Sequence, residues 1–121
     1  MLSRHVVVIR IGFIVIAEKV LSQGEGDSCE YLRKEFISNN RFQQPKELTV
    51  RYNRADKSTN FDMNNLVNIS SRPGNVIIIQ TDINTVAEIM NSANFNNNDF
   101  NEIIDYAAQR SSDIINSFPN I

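Results

Sequence analysis

His5-Val6-Val7-Val8-Ile9-Arg10-Ile11-Gly12-Phe13-Ile14-Val15-Ile16-Ala17 is the most apolar stretch of the chain, and it admits interpretations that differ in compartment as well as in structure. As a secretory leader it has Arg4 ahead of an apolar run and Val15-Ile16-Ala17 as a small-residue cleavage site. Against that stands Arg10, a charge in the middle of the run that opposes insertion into a bilayer. The run is also shorter than the roughly 20 residues a helix needs to span one. A β-strand accounts for it better, because β-branched residues dominate and both alternating rows are largely apolar. Val7, Ile9, Ile11, Phe13 and Val15 form one row and Val6, Val8, Ile14 and Ile16 the other. Such a strand is expected to be buried on both faces. Arg10 and Gly12 interrupt the second row, where solvent, a bulge or a partner would meet it. The strand reading goes with a cytoplasmic protein; cleavage near Ala17 would make it a secreted one.

Asp27 reads as a helix N-cap with Glu30 three residues on, opening a helix over about 28–38 with Cys29, Leu32 and Phe36 on its inner face. Leu48, Val50 and Tyr52 alternate with polar residues as in a strand buried on one face, leaving Thr49 and Arg51 outward. Residues 53–64 read as a loop. Leu66–Ser70 and Asn75–Thr81 flank Arg72-Pro73-Gly74-Asn75, a turn signal that makes them a hairpin, with Val76-Ile77-Ile78-Ile79 central in the sheet. From Asp82 the period reads as helical. Val86, Ile89, Met90 and Ala93 form one stripe; after the link 94–98, Phe100, Ile103, Ile104, Ala107, Ile114, Ile115 and Phe118 form a second, capped by Asn98 or Asp99. The order β-α-β-β-β-α-α predicts an α+β domain, a mostly antiparallel sheet of about four strands with helices on one face.

One domain over 1–121 is what 121 residues with 41% apolar content allow. Its single cysteine can form no internal disulfide. Asparagine supplies 17 residues; AT-rich codon bias would raise isoleucine, at 16, but also lysine, of which there are only 4, so it leaves the excess unexplained. The net charge of −2 divides unevenly: residues 1–60 hold 10 Lys/Arg against 7 Asp/Glu, a balance of +3, and residues 61–121 hold 2 against 7, a balance of −5.

Candidate chemistry is sparse. Cys29 in the first turn of its helix lacks a base, since the only histidine, His5, lies at the far end of the first strand unless Gly12 folds that segment into a hairpin. Gly24-Glu25-Gly26-Asp27-Ser28 occupies the position of a phosphate-binding loop but has two acids and no P-loop lysine. Asn94, Asn96, Asn98 and Asp105 match the spacing of a calcium loop only superficially, because Asp99 stands where a glycine is needed. Asp99, Glu102, Asp105 and Asp113 read as the wet face of the last helix. Asn68-Ile69-Ser70 is a glycosylation sequon, relevant only to a secreted chain. No catalytic residue, metal ligand or cofactor is therefore expected. The most usable surface is Arg41, Lys46, Arg51, Arg54 and Lys57, opposed only by Glu47 and Asp56 and interleaved with Phe42 and Tyr52, both expected to point inward. This segment suits an acidic protein partner, or single-stranded nucleic acid as the alternative, although a pI near 5.3 lacks the positive field of most nucleic-acid binders. The expected function is a non-enzymatic protein-binding module: an inhibitor, an immunity or antitoxin-type protein, or an assembly subunit. The apolar N-terminal strand, which must be covered or paired along its edge, adds self-association as a homodimer.

Overall fold

Val76–Thr85 carries Ile77, Ile79, Thr81, Ile83 and Thr85 at every second position, and all five are buried. In the computed structural model, which describes residues 6–22, 26–37, 42–86, 88–91 and 96–118, this strand is hydrogen-bonded on both sides. The elements in chain order are β1 (Val6–Ile9), β2 (Gly12–Val20), α1 (Ser28–Phe36), β3 (Thr49–Lys57), β4 (Asp62–Arg72), β5 (Val76–Thr85), β6 (Glu88–Asn91) and α2 (Asn97–Asn116). They build an α+β fold whose main sheet is antiparallel, four-stranded and ordered β2-β5-β4-β3. A two-stranded β1-β6 ladder continues beyond the β2-β5 pair.

Register assigns every side chain of the sheet to one of two faces, because the side-chain period of a strand is 2. Phe13, Val15 and Ala17 of β2 stand opposite Ile83, Thr81 and Ile79, which in turn oppose Asn65, Val67 and Ile69 of β4. Both helices cover this face. Tyr31 and Leu32 of α1 join Leu21, Val67, Ile69, Ile77 and Ile79 in one buried cluster; Ile103 and Ala107 of α2 join Phe61, Met63 and Ile83 in the other. Ile114 packs against both clusters and links them. The opposite face carries no helix among the described residues, and antiparallel sheets tolerate one solvated face.

The turns and caps explain where the elements stop. Gly74 takes a φ of +82°, the left-handed value the turn after Pro73 requires. Asp27 caps α1 by accepting from the Glu30 backbone N–H at 2.9 Å. The turn between β3 and β4 is tied to α2 by Glu102, which accepts from the Ser58 hydroxyl, the Asn60 backbone N–H and the Asn60 side-chain amide. Burial alone would push the Glu102 carboxyl up, but these donors outweigh it and hold its pKa below the ordinary value.

Several expectations are corrected. The segment 5–17 is not one strand: β1 and β2 separate at Arg10 and Ile11, where the step from Ile9 to Ile11 matches a step from Glu88 to Thr85 that is one residue longer, as in a β-bulge. Nor is its second strand buried twice over, since Ile14 is 60% and Ile16 66% exposed. Residues 53–57 and 62–64 extend β3 and β4, leaving only a short turn. The stripe Val86, Ile89, Met90 misleads, because β5 runs to Thr85 and residues 88–91 are strand, paired with a segment some eighty residues away that no local period reveals. α2 is capped by Asn96, reciprocally with Asp99, two residues earlier than expected. Arg41, His5 and Asn94 lie outside the described residues.

The Thr81 hydroxyl donates to Ser111 Oγ at 3.0 Å, joining β5 to α2 inside the core where both residues are almost wholly buried. Ser111→Ala strands the Thr81 hydroxyl and is expected to cost about 1–3 kcal/mol in urea unfolding. Adding Thr81→Val removes the stranded group, so the double variant should recover most of that loss.

Candidate functional site

β3 is an edge strand, and seven of its nine residues are exposed. Its alternate residues Val50, Tyr52, Arg54 and Asp56 stand opposite buried residues of β4 and so belong to the helix-covered side. α2 reaches this strand at Asp56 through Tyr106, whereas Tyr52 is left about half exposed. What results is an apolar groove of about 280 Å³. Val50, Val67 and Ile69 form its floor, Tyr52 its outer wall, and Phe36, Ile114 and Phe118 its inner wall. Phe36 and Phe118 bring their rings within 6.3 Å where the two helices end. Tyr52 and Phe36 remain about half exposed, at 48% and 45%, so the groove is open to solvent. Exposed aromatic surface beside a recess is a common mark of an interaction site.

One end of the groove is polar. Arg110 on α2 lines it and donates from Nε to Asn65 Oδ1 at 3.0 Å. Asn65, fully buried, donates in turn to the Tyr106 hydroxyl at 3.2 Å, and that hydroxyl donates to Asp56 Oδ2 at 2.6 Å. The chain of bonds runs from β3 through α2 to β4 and back to α2. Asp56 is held below the usual carboxylate range chiefly by the Tyr106 hydroxyl, with the Lys57 backbone N–H adding to it. Tyr106 is raised, first by burial and then by donating to Asp56. Arg110 therefore has a fixed orientation at the groove, with a single hydrogen bond to protein among the described residues.

The expected basic patch is only partly brought together. Arg51 faces outward opposite Asn68, and Lys57 faces outward opposite Asp62. Arg54 projects on the helix side, and Lys46 lies in the loop before β3 beside a separate recess near the start of α1. These four flank the edge from both faces without forming one flat surface, and Arg41 is outside the described residues. Tyr52 does face the helix side as expected but is 48% exposed, and Phe42, in the loop before β3, is 59% exposed. Arg110 and Phe118 escaped sequence reading, as the helical period marks them only as one polar and one apolar position. Cys29 is buried, and its thiol donates to the Lys46 carbonyl at 3.2 Å. No group of residues suited to a metal and no helix long and apolar enough to cross a membrane occurs among the described residues.

The Asp56–Tyr106 bond predicts a two-sided pH dependence. A carboxyl lowered in the folded state stabilises the fold above its unfolded pKa, and that contribution is lost as pH falls through the folded value. A raised tyrosine acts oppositely: its contribution is complete below the ordinary tyrosine pKa and is lost as pH rises through the folded value. Tyr106→Phe should therefore flatten the fall of urea stability between about pH 5 and pH 2 and remove the tyrosine step above about pH 10. Comparison with family models, with curated proteins and with solved structures finds no match to this chain.

Proposed function

We propose that this chain is a non-enzymatic binding module that takes an extended, acidic segment of a protein partner along β3, with an apolar side chain of that segment seated in the groove. The observation that carries this reading is an apolar recess framed by cations at an open strand edge. The Leu48 carbonyl accepts from the Ser71 backbone N–H of β4, and the Leu48 N–H donates to Ser71 Oγ. By alternation, Thr49, Arg51, Asn53, Ala55 and Lys57 direct their N–H and C=O groups to the free edge. An added strand would satisfy those groups, and its alternate side chains would fall on the groove side beside Tyr52. Arg51, Arg54 and Lys57 favour carboxylates on the incoming segment, and Arg110 can bind one bidentately at the groove's end.

Single-stranded nucleic acid is the second reading, favoured by the exposure of Tyr52 between Arg51 and Arg54. A narrow apolar recess serves an aliphatic or aromatic side chain better than a run of stacked bases.

The test uses a fluorescent peptide of alternating Glu and Leu, the same peptide with Lys for Glu, and oligothymidylate. Fluorescence anisotropy should show binding of the acidic peptide alone. Arg51→Glu with Arg54→Glu should weaken it about tenfold, or roughly 1.4 kcal/mol, with an unchanged melting temperature. Equal binding of both peptides, or tighter binding of oligothymidylate that falls steeply with salt, would replace this reading.

A further inference from the structure

The other edge of the sheet has a different character. Leu21 donates its N–H to the Asn75 carbonyl and Ile11 accepts from the Thr85 N–H, so the odd-numbered residues of β2 bond to β5. The even-numbered residues Gly12, Ile14, Ile16, Glu18 and Val20 therefore turn their backbone groups to the free edge and their side chains to the uncovered face. Among the described residues no strand pairs with this edge. Natural edges are usually blunted by charge, proline or helix cover. β3 follows that rule, whereas β2 offers Ile14, Ile16 and Val20, three of the most exposed large apolar residues described.

We propose that a second copy of this chain pairs antiparallel with β2 along this edge, about a two-fold axis beside Ile14, joining two four-stranded sheets into one of eight. Three features select this register. Ile14 meets Ile14 of the copy. Arg10 stands opposite Glu18 of the copy, and the two-fold makes that pairing twice; both residues are exposed, and neither has an ion-pair partner among the described residues. Ile16, 66% exposed, stands opposite Gly12 of the copy, above which lies a recess of about 330 Å³ bounded by Arg10, Ile14, Asp82 and Asn84. A protruding isoleucine thus meets the one position of β2 without a side chain. On the helix side the same register sets Phe13 against Val15 and Ile11 against Ala17, all apolar, and leaves Lys19 beyond the paired span. Shifting by two residues toward the C-terminus sets Gly12 against Glu18 and Arg10 against Val20; shifting by four sets Ile14 against Glu18 and Phe13 against Lys19. The chosen register makes about six backbone hydrogen bonds over residues 12–16 of the two copies, with more where Arg10 meets Glu18.

Sedimentation equilibrium of the full chain tests this. The mass should rise with concentration from 13.8 kDa to twice that value. Arg10→Glu or Glu18→Arg alone sets like charges opposite and should weaken the dimer about tenfold, and the two together should restore it. Gly12→Val fills the recess and should leave a monomer. A Cβ there meets Asn84 at an ordinary 3.5 Å, so the subunit should keep its fold, as circular dichroism would show. A monomer at every concentration up to about 300 μM overturns the proposal. So does a dimer indifferent to these substitutions, or one that the double reversal fails to restore.

Discussion

β5 is hydrogen-bonded to β2 on one side and to β4 on the other, and the facing of both neighbours follows from that double pairing. Ile77, Ile79 and Ile83 are fully buried because β2 and β4 flank them and both helices lie beneath. Each ladder inherits its facing from this strand, so a slip of one residue would turn Ile77, Ile79 and Ile83 to solvent and bring Gln80, Asp82 and Asn84 into the core. The cost would be several buried isoleucines, each worth about 1.5–3 kcal/mol of transfer free energy, together with a desolvated carboxylate. The Pro73-Gly74 turn sets the register locally, and the Thr81–Ser111 bond ties it to α2.

That register also accounts for part of the asparagine excess. Asn53, Asn64, Asn68 and Asn84 fall on the uncovered face, where Asn64 donates to Asn84 at 3.2 Å and Asn84 to Asp82 at 3.0 Å. Inside, Asn65 connects Tyr106 with Arg110. At chain reversals, Asn75 donates to the Leu21 carbonyl and Asn60 to Glu102, and Asn96 caps α2. A short amide both donates and accepts, so it can satisfy a neighbouring strand without the length or charge of lysine or glutamate. Composition shows the excess; only the pairing shows what these amides do.

What was legible in the chain follows the range of each signal. Period-2 alternation and Pro-Gly chemistry act within a few residues, so the α+β class, the hairpin and the central place of Val76–Ile79 could be read directly. Asp27 and the last helix were legible for the same reason. Residues 88–91 were not, because Ile89 and Met90 satisfy a helical spacing while their strand partner lies near the other end of the chain. The groove was hidden more deeply. Phe36, Tyr52 and Phe118 each read as core residues, yet Phe36 and Tyr52 are about half exposed and Phe118 is only partly buried where the helices end, a matter of helix length and placement that no window of sequence contains.

The two sheet edges differ in a way that constrains how a pair of subunits would work. An axis normal to the sheet at β2 keeps the helices of both copies on the same side and leaves each β3 at an outer end, farthest from the joint. Both grooves would then open on the helix-bearing side, separated by the width of eight strands, roughly 35 Å at 4.8 Å per strand spacing. One short acidic segment could not reach both. A partner carrying two such segments on a linker able to span that distance would bind the second as an intramolecular event, raising its effective concentration toward the millimolar range without any new contact. Joining the apolar edges would thus leave the charged edges unobstructed, and separation of the two kinds of edge would let one small sheet associate with itself without competing with a partner.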